Sequence, residues 1–114
     1  MRFIKKTTEY QDIYREHYKV QSEYFTLLYK LKAESNEAAV GIVIRGKVGK
    51  AVIRNILKRR IRAYLKQKQN NINNNIAAVI IGRVNAAEAG WQDINNDLDR
   101  CFGEIKDLFP CGNP

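Results

Sequence analysis

The part of the chain that decides its fold is residues 39–82, which read AVGIVIRGKVGKAVIRNILKRRIRAYLKQKQNNINNNIAAVIIG. This segment begins and ends with continuous apolar runs, Ala39–Ile44 and Ile76–Ile81, each of a length typical of a strand buried on both faces. Between them, from about Lys50 to Gln69, apolar residues recur at helical spacing. A strand, a helix of this length and a second apolar strand together predict a β-α-β crossover.

The segments on either side supply further elements. Thr8, followed three residues later by Gln11, has the capping-box pattern that predicts the start of a first helix. From Tyr18 to Leu31, aromatic and branched residues alternate, which predicts one or two strands. Residues 85–109 predict a last helix, which Gly90 can interrupt. Its predicted inner stripe consists of Trp91, Ile94, Leu98, Cys101, Phe102, Ile105 and Phe109.

These elements follow one another in the order α-β-β-β-α-β-α. We therefore predict an α+β fold, a two-layer sandwich in which three helices pack on a central mixed sheet of about four strands. A chain of 114 residues has the size of one domain, so residues 1–114 are predicted to fold as a single domain. Two connectors are predicted, a turn at Glu34–Glu37 and an Asn-rich loop at residues 69–75.

Charge is distributed unevenly along the chain. The formal net charge is +8 and the pI is near 9.7, yet residues 38–87 contain no acidic residue at all. The stretch Arg45–Lys68 alone carries ten Lys or Arg residues. A surface dominated by positive charge predicts a polyanionic partner, so the domain is expected to bind nucleic acid.

Within the basic helix, Arg54, Lys58 and Arg62 stand at positions i, i+4 and i+8 and therefore share one side. Like charges this close repel one another, so we expect a polyanionic ligand to supply the counter-charge. An ordinary solvated helix face is the alternative interpretation. The predicted apolar side of the same helix consists of Ile53, Leu57, Ile61, Tyr64 and Leu65.

Several other classes of protein are disfavoured. No apolar run approaches the length of a membrane span, and the first residues, MRFIKK, lack the features of a secretory signal, so a cytoplasmic protein is expected. Cys101 and Cys111 have no ligand cluster around them and are expected to be free thiols, and His17 has no nucleophile near it in sequence. A self-sufficient nuclease would need clustered carboxylates, whereas Asp93 and Asp97, four residues apart, are typical of a solvated face.

The run Gly46–Arg62, GKVGKAVIRNILKRRIR, resembles the signature of the protein subunit of bacterial ribonuclease P, in which a lysine-glycine turn leads into A-V-x-R-N-x-x-K-R-x-x-R. The resemblance extends more loosely over nearly the whole chain. It implies an accessory subunit, because in this family a catalytic RNA removes the 5′ leader of precursor tRNA by metal-dependent hydrolysis and the small basic protein assists. The implied partners are the catalytic RNA and precursor tRNA. The implied cofactor is Mg²⁺ in the holoenzyme, bound mainly by RNA, with no catalytic residue and no metal ligand on the protein.

The resemblance also implies roles for individual residues. The signature helix and the turn before it contact the catalytic RNA, which gives the set Arg45, Lys47, Lys50, Arg54, Asn55, Lys58, Arg59 and Arg62. A cleft between the first helix and the sheet holds the single-stranded leader on aromatic rings, and the matching residues here are Tyr10, Tyr14 and Phe25. Stacking of this kind binds unpaired bases without requiring a particular sequence. The same three rings also fit the alternative that the aromatic stripe is simply core.

The chain departs from the family pattern in three places. Ile56 stands where the signature usually has a second Arg, and Gly46 precedes Lys47 where two adjacent lysines are usual. On the second strand, the family's aromatic position aligns with Leu28, whereas Tyr29 lies one residue further along. Because a slip of one residue turns a side chain to the opposite sheet face, the sequence leaves the register of this strand open.

A basic RNA-binding module without any part in catalysis, such as a ribosome-associated protein, is the alternative function, because related folds occur in such proteins. The Arg54-Asn55 pair within the signature favours the ribonuclease P subunit.

Overall fold

The computed structural model describes residues 1–32, 37–69, 72 and 75–108, and it describes the side chains of these residues up to 105. The strands are β1 (Arg2–Phe3), β2 (Tyr18–Gln21), β3 (Phe25–Leu31), β4 (Ala39–Val43) and β5 (Ile76–Gly82). The helices are α1 (Thr7–Arg15), α2 (Ala51–Lys68) and α3 (Trp91–Leu108), with short 3₁₀ turns at Gly46–Val48 and Val84–Glu88.

The five strands form one mixed sheet in the order β1-β4-β5-β3-β2. Strands β4 and β5 are parallel neighbours joined through α2, so the predicted β-α-β crossover is confirmed. Strand β3 runs antiparallel to both β5 and β2. The sheet has one strand more than expected, because Arg2 and Phe3 pair with Ala39 and Val40. A strand of two residues has no periodic pattern of its own and forms only when its partner is in place.

Each face of the sheet carries its own core, since alternate residues of a strand point to opposite sides. On one face, Val40 and Ile80 belong to the larger core, which lies under α2 and α3. On the other face, Val79 and Leu28 pack with Ile13 of α1, which is 1% exposed. The sheet and helices α2 and α3 form the predicted two-layer sandwich. Helix α1 covers the other face of the sheet on its own.

Several element ends differ from the sequence-based expectation. Helix α1 begins at Thr7 after Lys6 as N-cap, and no side chain caps it, so the capping role predicted for Thr8 is wrong. The interruption at Gly90 is confirmed, because a 3₁₀ turn precedes it and α3 starts at Trp91. Trp91 itself is 38% exposed and does not belong to the inner stripe. Residues 34–36, 70–71, 73–74 and 109, on which further predictions fell, lie outside the described part of the chain.

No helix within the described ranges is both long enough and apolar enough to span a membrane.

Candidate nucleic-acid interface

One apolar side fixes α2 on the sheet and thereby determines where its cations point. Leu57, Ile61, Tyr64 and Leu65 are each at most 2% exposed and belong to the larger core. Ile53, which was expected on the same side, is 38% exposed because it lies in the first turn of the helix, beside Gly49.

Arg54, Lys58 and Arg62 run along one flank of α2, and we refer to these three residues as the basic flank. Arg54 and Lys58 are partly buried and Arg62 is exposed. Among the residues that the structure describes, no acidic side chain forms an ion pair with any of the three. The Nε atom of Arg54 is shielded from solvent and has no hydrogen-bond partner among the described residues. A buried donor without an acceptor costs about 1–3 kcal/mol, a cost that a bound phosphate oxygen would remove.

The opposite flank of α2 is already paired within the protein. Arg60 Nη1 donates to the carbonyl oxygen of Ala89 at 3.3 Å, and the Tyr64 hydroxyl donates to Asp99 Oδ1 at 2.7 Å. Lys68 Nζ lies 3.8 Å from the same Asp99 oxygen. Burial and the Asp99 carboxylate together raise the pKa of Tyr64, so its hydroxyl keeps its proton. Arg60 and Lys68 therefore already have partners within the protein, whereas the cations of the basic flank have no acidic partner among the described residues.

The other predicted RNA-binding residues continue this exposed cationic surface. Asn55 and Arg59 are exposed on the outward side of α2. In the turn before the helix, Val48 is 4% exposed and anchors the backbone, while Lys47 and Lys50 are exposed on either side of it.

A cationic groove of about 750 Å³ opens where β4 and β5 end, and its lining includes Arg45, Lys47 and Arg83. The two strands are parallel and in register, with Val43 beside Ile81, so the residues that follow each strand meet at one edge of the sheet. Arg83 was not predicted from the sequence. The sequence could have indicated it, because Arg83 follows Ile81 by two residues, just as Arg45 follows Val43 by two residues.

Hydrogen bonds to a neighbouring turn hold Arg83 at the groove. Its Nη1 donates to the carbonyl oxygen of Ser22 at 2.7 Å, and Asn85 Nδ2 donates to the carbonyl oxygen of Glu23 at 2.9 Å. Both acceptors belong to the turn between β2 and β3. The groove also includes one carboxylate, that of Glu88, beside its three cations.

The two tyrosines of α1 lie on the opposite face of the sheet from α2. The Tyr10 ring packs so closely on β4 that a Cβ atom at Gly41 would lie 2.6 Å from its Cε1 atom. Burial raises the pKa of Tyr10. Tyr14 is 41% exposed, and its ring centroid lies 6.3 Å from that of Tyr10 with an interplanar angle of 28°. Tyr14 thus offers an open ring face, and Tyr10 supports it from the side of the sheet.

Phe25, the third residue predicted to line the cleft, is not accessible to a bound leader. Phe25 is 0% exposed and lies in the larger core, on the sheet face away from α1, so its predicted role in the cleft is wrong. The register question is also answered. Leu28 packs on the α1 side, whereas Tyr29 points to the other face and stacks on Tyr18 at 5.5 Å. The sheet face next to α1 is therefore aliphatic at this position.

The cysteines, the histidine and the acidic residues do not form a catalytic or metal-binding group among the described residues. Cys101 is a buried free thiol, as predicted, and burial raises its pKa, while Cys111 lies outside the described residues. His17 Nδ1 lies 2.9 Å from the carbonyl oxygen of Ile13, at the end of α1. Among the described residues, no group of three or more His, Cys, Asp and Glu side chains could hold a metal ion.

Comparisons with known proteins converge on one family. The family model described as Ribonuclease P matches residues 1–106. The ribonuclease P protein component of Fusobacterium nucleatum is 33% identical over 110 residues, which cover 93% of this chain and 98% of that protein. The corresponding protein of Clostridioides difficile is 32% identical over 96 residues and 83% of each chain.

Solved structures agree with these sequence matches. The RNase P protein from Staphylococcus aureus superposes with a TM-score of 0.82 at 29% identity, covering 94% of this chain and 96% of that one. The RNase P protein from Thermotoga maritima gives a TM-score of 0.77 at 27% identity, covering 84% and 90%.

Proposed function

Because this chain belongs to the ribonuclease P protein family, we propose that its two sheet faces divide the work of an accessory subunit, with α2 binding the catalytic RNA and the α1 side binding the 5′ leader of precursor tRNA. Family membership makes the protein a subunit of ribonuclease P, which acts in tRNA processing, and in this ribonucleoprotein the RNA carries the chemistry. The RNase P RNA is therefore its partner.

The observation that carries the RNA-binding part is the unneutralised basic flank of α2. Arg54, Lys58 and Arg62 have no acidic partner among the described residues, and the buried Nε of Arg54 lacks an acceptor. Guanidinium groups bind phosphate with two parallel hydrogen bonds, and a lysine contributes a point charge. The proposed contact set is Arg45, Lys47, Lys50, Arg54, Asn55, Lys58, Arg59 and Arg62.

The leader-binding part rests on the α1 side of the sheet. The open ring of Tyr14 can stack on an unpaired base at about 1–3 kcal/mol, and Tyr10 holds it in place. The cationic groove lies at an edge of the same sheet, and we propose that Arg83 in this groove contacts the leader backbone. Precursor tRNA would then be recognised by an aromatic ring and a cation, neither of which reads base identity.

We propose that the Mg²⁺ of the holoenzyme is bound mainly by RNA phosphates. Mg²⁺ is held in proteins through carboxylates and other oxygen ligands. The described residues offer no group of three or more side chains that fits a metal site, and the stretch 38–87 contains no carboxylate. We further propose that the protein works in the cytoplasm, together with the RNA subunit.

The direct test is cleavage of a 5′-extended precursor tRNA at low Mg²⁺ concentration. The RNA subunit from the same organism is assayed alone and with the protein added, and the protein is also assayed alone. We expect stimulation at the natural cleavage site and no activity from the protein by itself. Tight binding to both RNAs without any stimulation would contradict the accessory role and favour a generic RNA-binding module.

Variants of the basic flank test the phosphate contacts. Arg54→Gln and Lys58→Gln should each weaken binding to the RNA subunit and reduce the slope of log K against log salt by about 0.7–0.9, the range for one lost phosphate contact. Lys5→Gln removes an exposed cation ahead of α1 and serves as the matched control. A slope that stays at the wild-type value in the Arg54 and Lys58 variants would refute the assignment.

Tyr14→Ala tests the leader face separately. Loss of one stacked base should weaken binding of precursor tRNA by the holoenzyme about 5- to 160-fold, as expected for about 1–3 kcal/mol, with little effect on mature tRNA or on the RNA subunit. Equal weakening of precursor and mature tRNA would show that this ring does not contact the leader.

A further inference from the structure

Part of the exposed surface of the first turns of α2 is apolar, although it lies in the most basic part of the chain. Val52 is 70% exposed, Ile53 is 38% exposed and Ile56 is partly exposed. Residues three and four apart on a helix are neighbours, so Ile56 lies next to both Ile53 and Val52, and the three side chains form one strip. We refer to Val52, Ile53 and Ile56 as the apolar strip.

Packing within the described chain explains only part of this strip, since Ile53 lies beside Gly49 whereas Val52 is mostly open to solvent. Branched aliphatic side chains are weaker helix formers than Lys, Arg, Gln or Glu, and at Val52, which is 70% exposed, little burial offsets this disadvantage. Single exposed apolar residues are ordinary on protein surfaces, but three within two turns form a patch that excludes water once a partner covers it.

The surroundings of the apolar strip identify the chemistry of its partner. Lys50 lies just before it, and Asn55 and Arg59 are exposed beside it. A partner must therefore combine a flat apolar surface with negative charge and hydrogen-bonding groups. An unstacked nucleotide has all three, because its base has an apolar face, its edge is polar and its phosphate is anionic.

We infer that the apolar strip of α2 docks an unstacked nucleobase of the catalytic RNA, such as a bulged or looped nucleotide, while Arg59 binds a neighbouring phosphate. The inference rests on the proposed function, since it specifies what kind of RNA element meets this part of α2. A second copy of the chain fits the strip less well, because it would bring Lys50 and Arg59 of two molecules, each with a net charge of +8, close together.

The experiment compares three proteins in binding to the RNA subunit from the same organism over a range of salt concentrations. The double variant Val52→Thr/Ile56→Thr keeps β-branched residues and charge but removes apolar surface. Leu31→Thr, at an aliphatic residue of β3 that is 42% exposed, is the matched control. Nucleotide flexibility in the RNA is mapped in parallel with a ribose-acylating reagent, and sedimentation reports self-association.

We expect the double variant to bind about 10-fold more weakly with an unchanged salt slope, because it loses apolar contact and no charge. One or a few unpaired nucleotides that wild-type protein protects should become reactive again. Val52→Ile, which extends the apolar surface, should retain wild-type affinity. Leu31→Thr should match wild type throughout.

Three outcomes would overturn the inference. Unchanged affinity and unchanged protection would show that no base lies on the apolar strip. Unchanged affinity with loss of protein self-association would assign the strip to a second copy. A reduced salt slope would show that the substitutions act through charged contacts. In each of these cases wild-type protein still binds the RNA, whereas failure of wild-type binding would refute the proposed function itself.

Discussion

Asp97 is the buried acidic residue on which we base our most detailed prediction. It is 3% exposed, although its sequence position suggested a solvated face. Its Oδ2 atom accepts from Ser22 Oγ at 2.5 Å and from the Tyr24 N–H at 3.0 Å, and its Oδ1 atom accepts from the Glu23 N–H at 3.3 Å. One carboxylate of α3 therefore holds the turn between β2 and β3, the same turn that binds Arg83 at the cationic groove.

The cost of Asp97→Ala follows from which donors lose their acceptor. The Ser22 hydroxyl has a replacement, because its Oγ lies 3.0 Å from the carbonyl oxygen of Phe25. The N–H groups of Glu23 and Tyr24 have no second acceptor in this turn. At about 1–3 kcal/mol for each partly buried donor left without an acceptor, and with water reaching the exposed Glu23, the loss is about 3 kcal/mol. Asp97→Asn keeps one acceptor oxygen and should lose roughly half as much.

Urea unfolding of the free protein, followed by circular dichroism, measures this loss. The expected decrease of about 3 kcal/mol corresponds to a melting temperature lower by roughly 10 °C for a domain of this size. Glu104→Ala is the control, because it removes an exposed carboxylate from the same helix and should change stability by less than about 0.5 kcal/mol. If Asp97→Ala and Glu104→Ala lowered stability equally, the argument from the unpaired N–H groups would be refuted.

Two further predictions concern other parts of the fold. Gly41→Ala should destabilise the protein by about 1–3 kcal/mol in urea unfolding, because the added methyl group would lie 2.6 Å from the Tyr10 ring, and an unchanged stability would show that this ring yields freely. Cys101 should react slowly with a thiol reagent at mildly alkaline pH, since burial raises its pKa and so lowers the thiolate fraction. The measurement uses a Cys111→Ser variant, and a native rate equal to the rate in denaturant would contradict burial of the thiol.

The candidate site illustrates where sequence-based reasoning succeeds. The periodicity of α2 predicted both its buried side and its basic flank, because the spacing of residues on a helix depends only on local geometry. The family resemblance was misleading for Phe25, which it matched to an aromatic residue of the leader cleft. Its burial depends on which sheet face it points to, and that face is set by pairing with β5, where it lies opposite Gly82.

The sequence by itself determined the β-α-β crossover, the mixed α+β class and the concentration of cations without acidic partners, since all three are written in local patterns of apolar and charged residues. Only the tertiary structure decided that Arg2 and Phe3 form a strand, that Arg83 joins Arg45 at one groove and that Asp97 is buried under a distant turn. Each of these depends on contacts between segments far apart in the chain. Such contacts form when the elements pack together, so no short stretch of sequence can specify them alone.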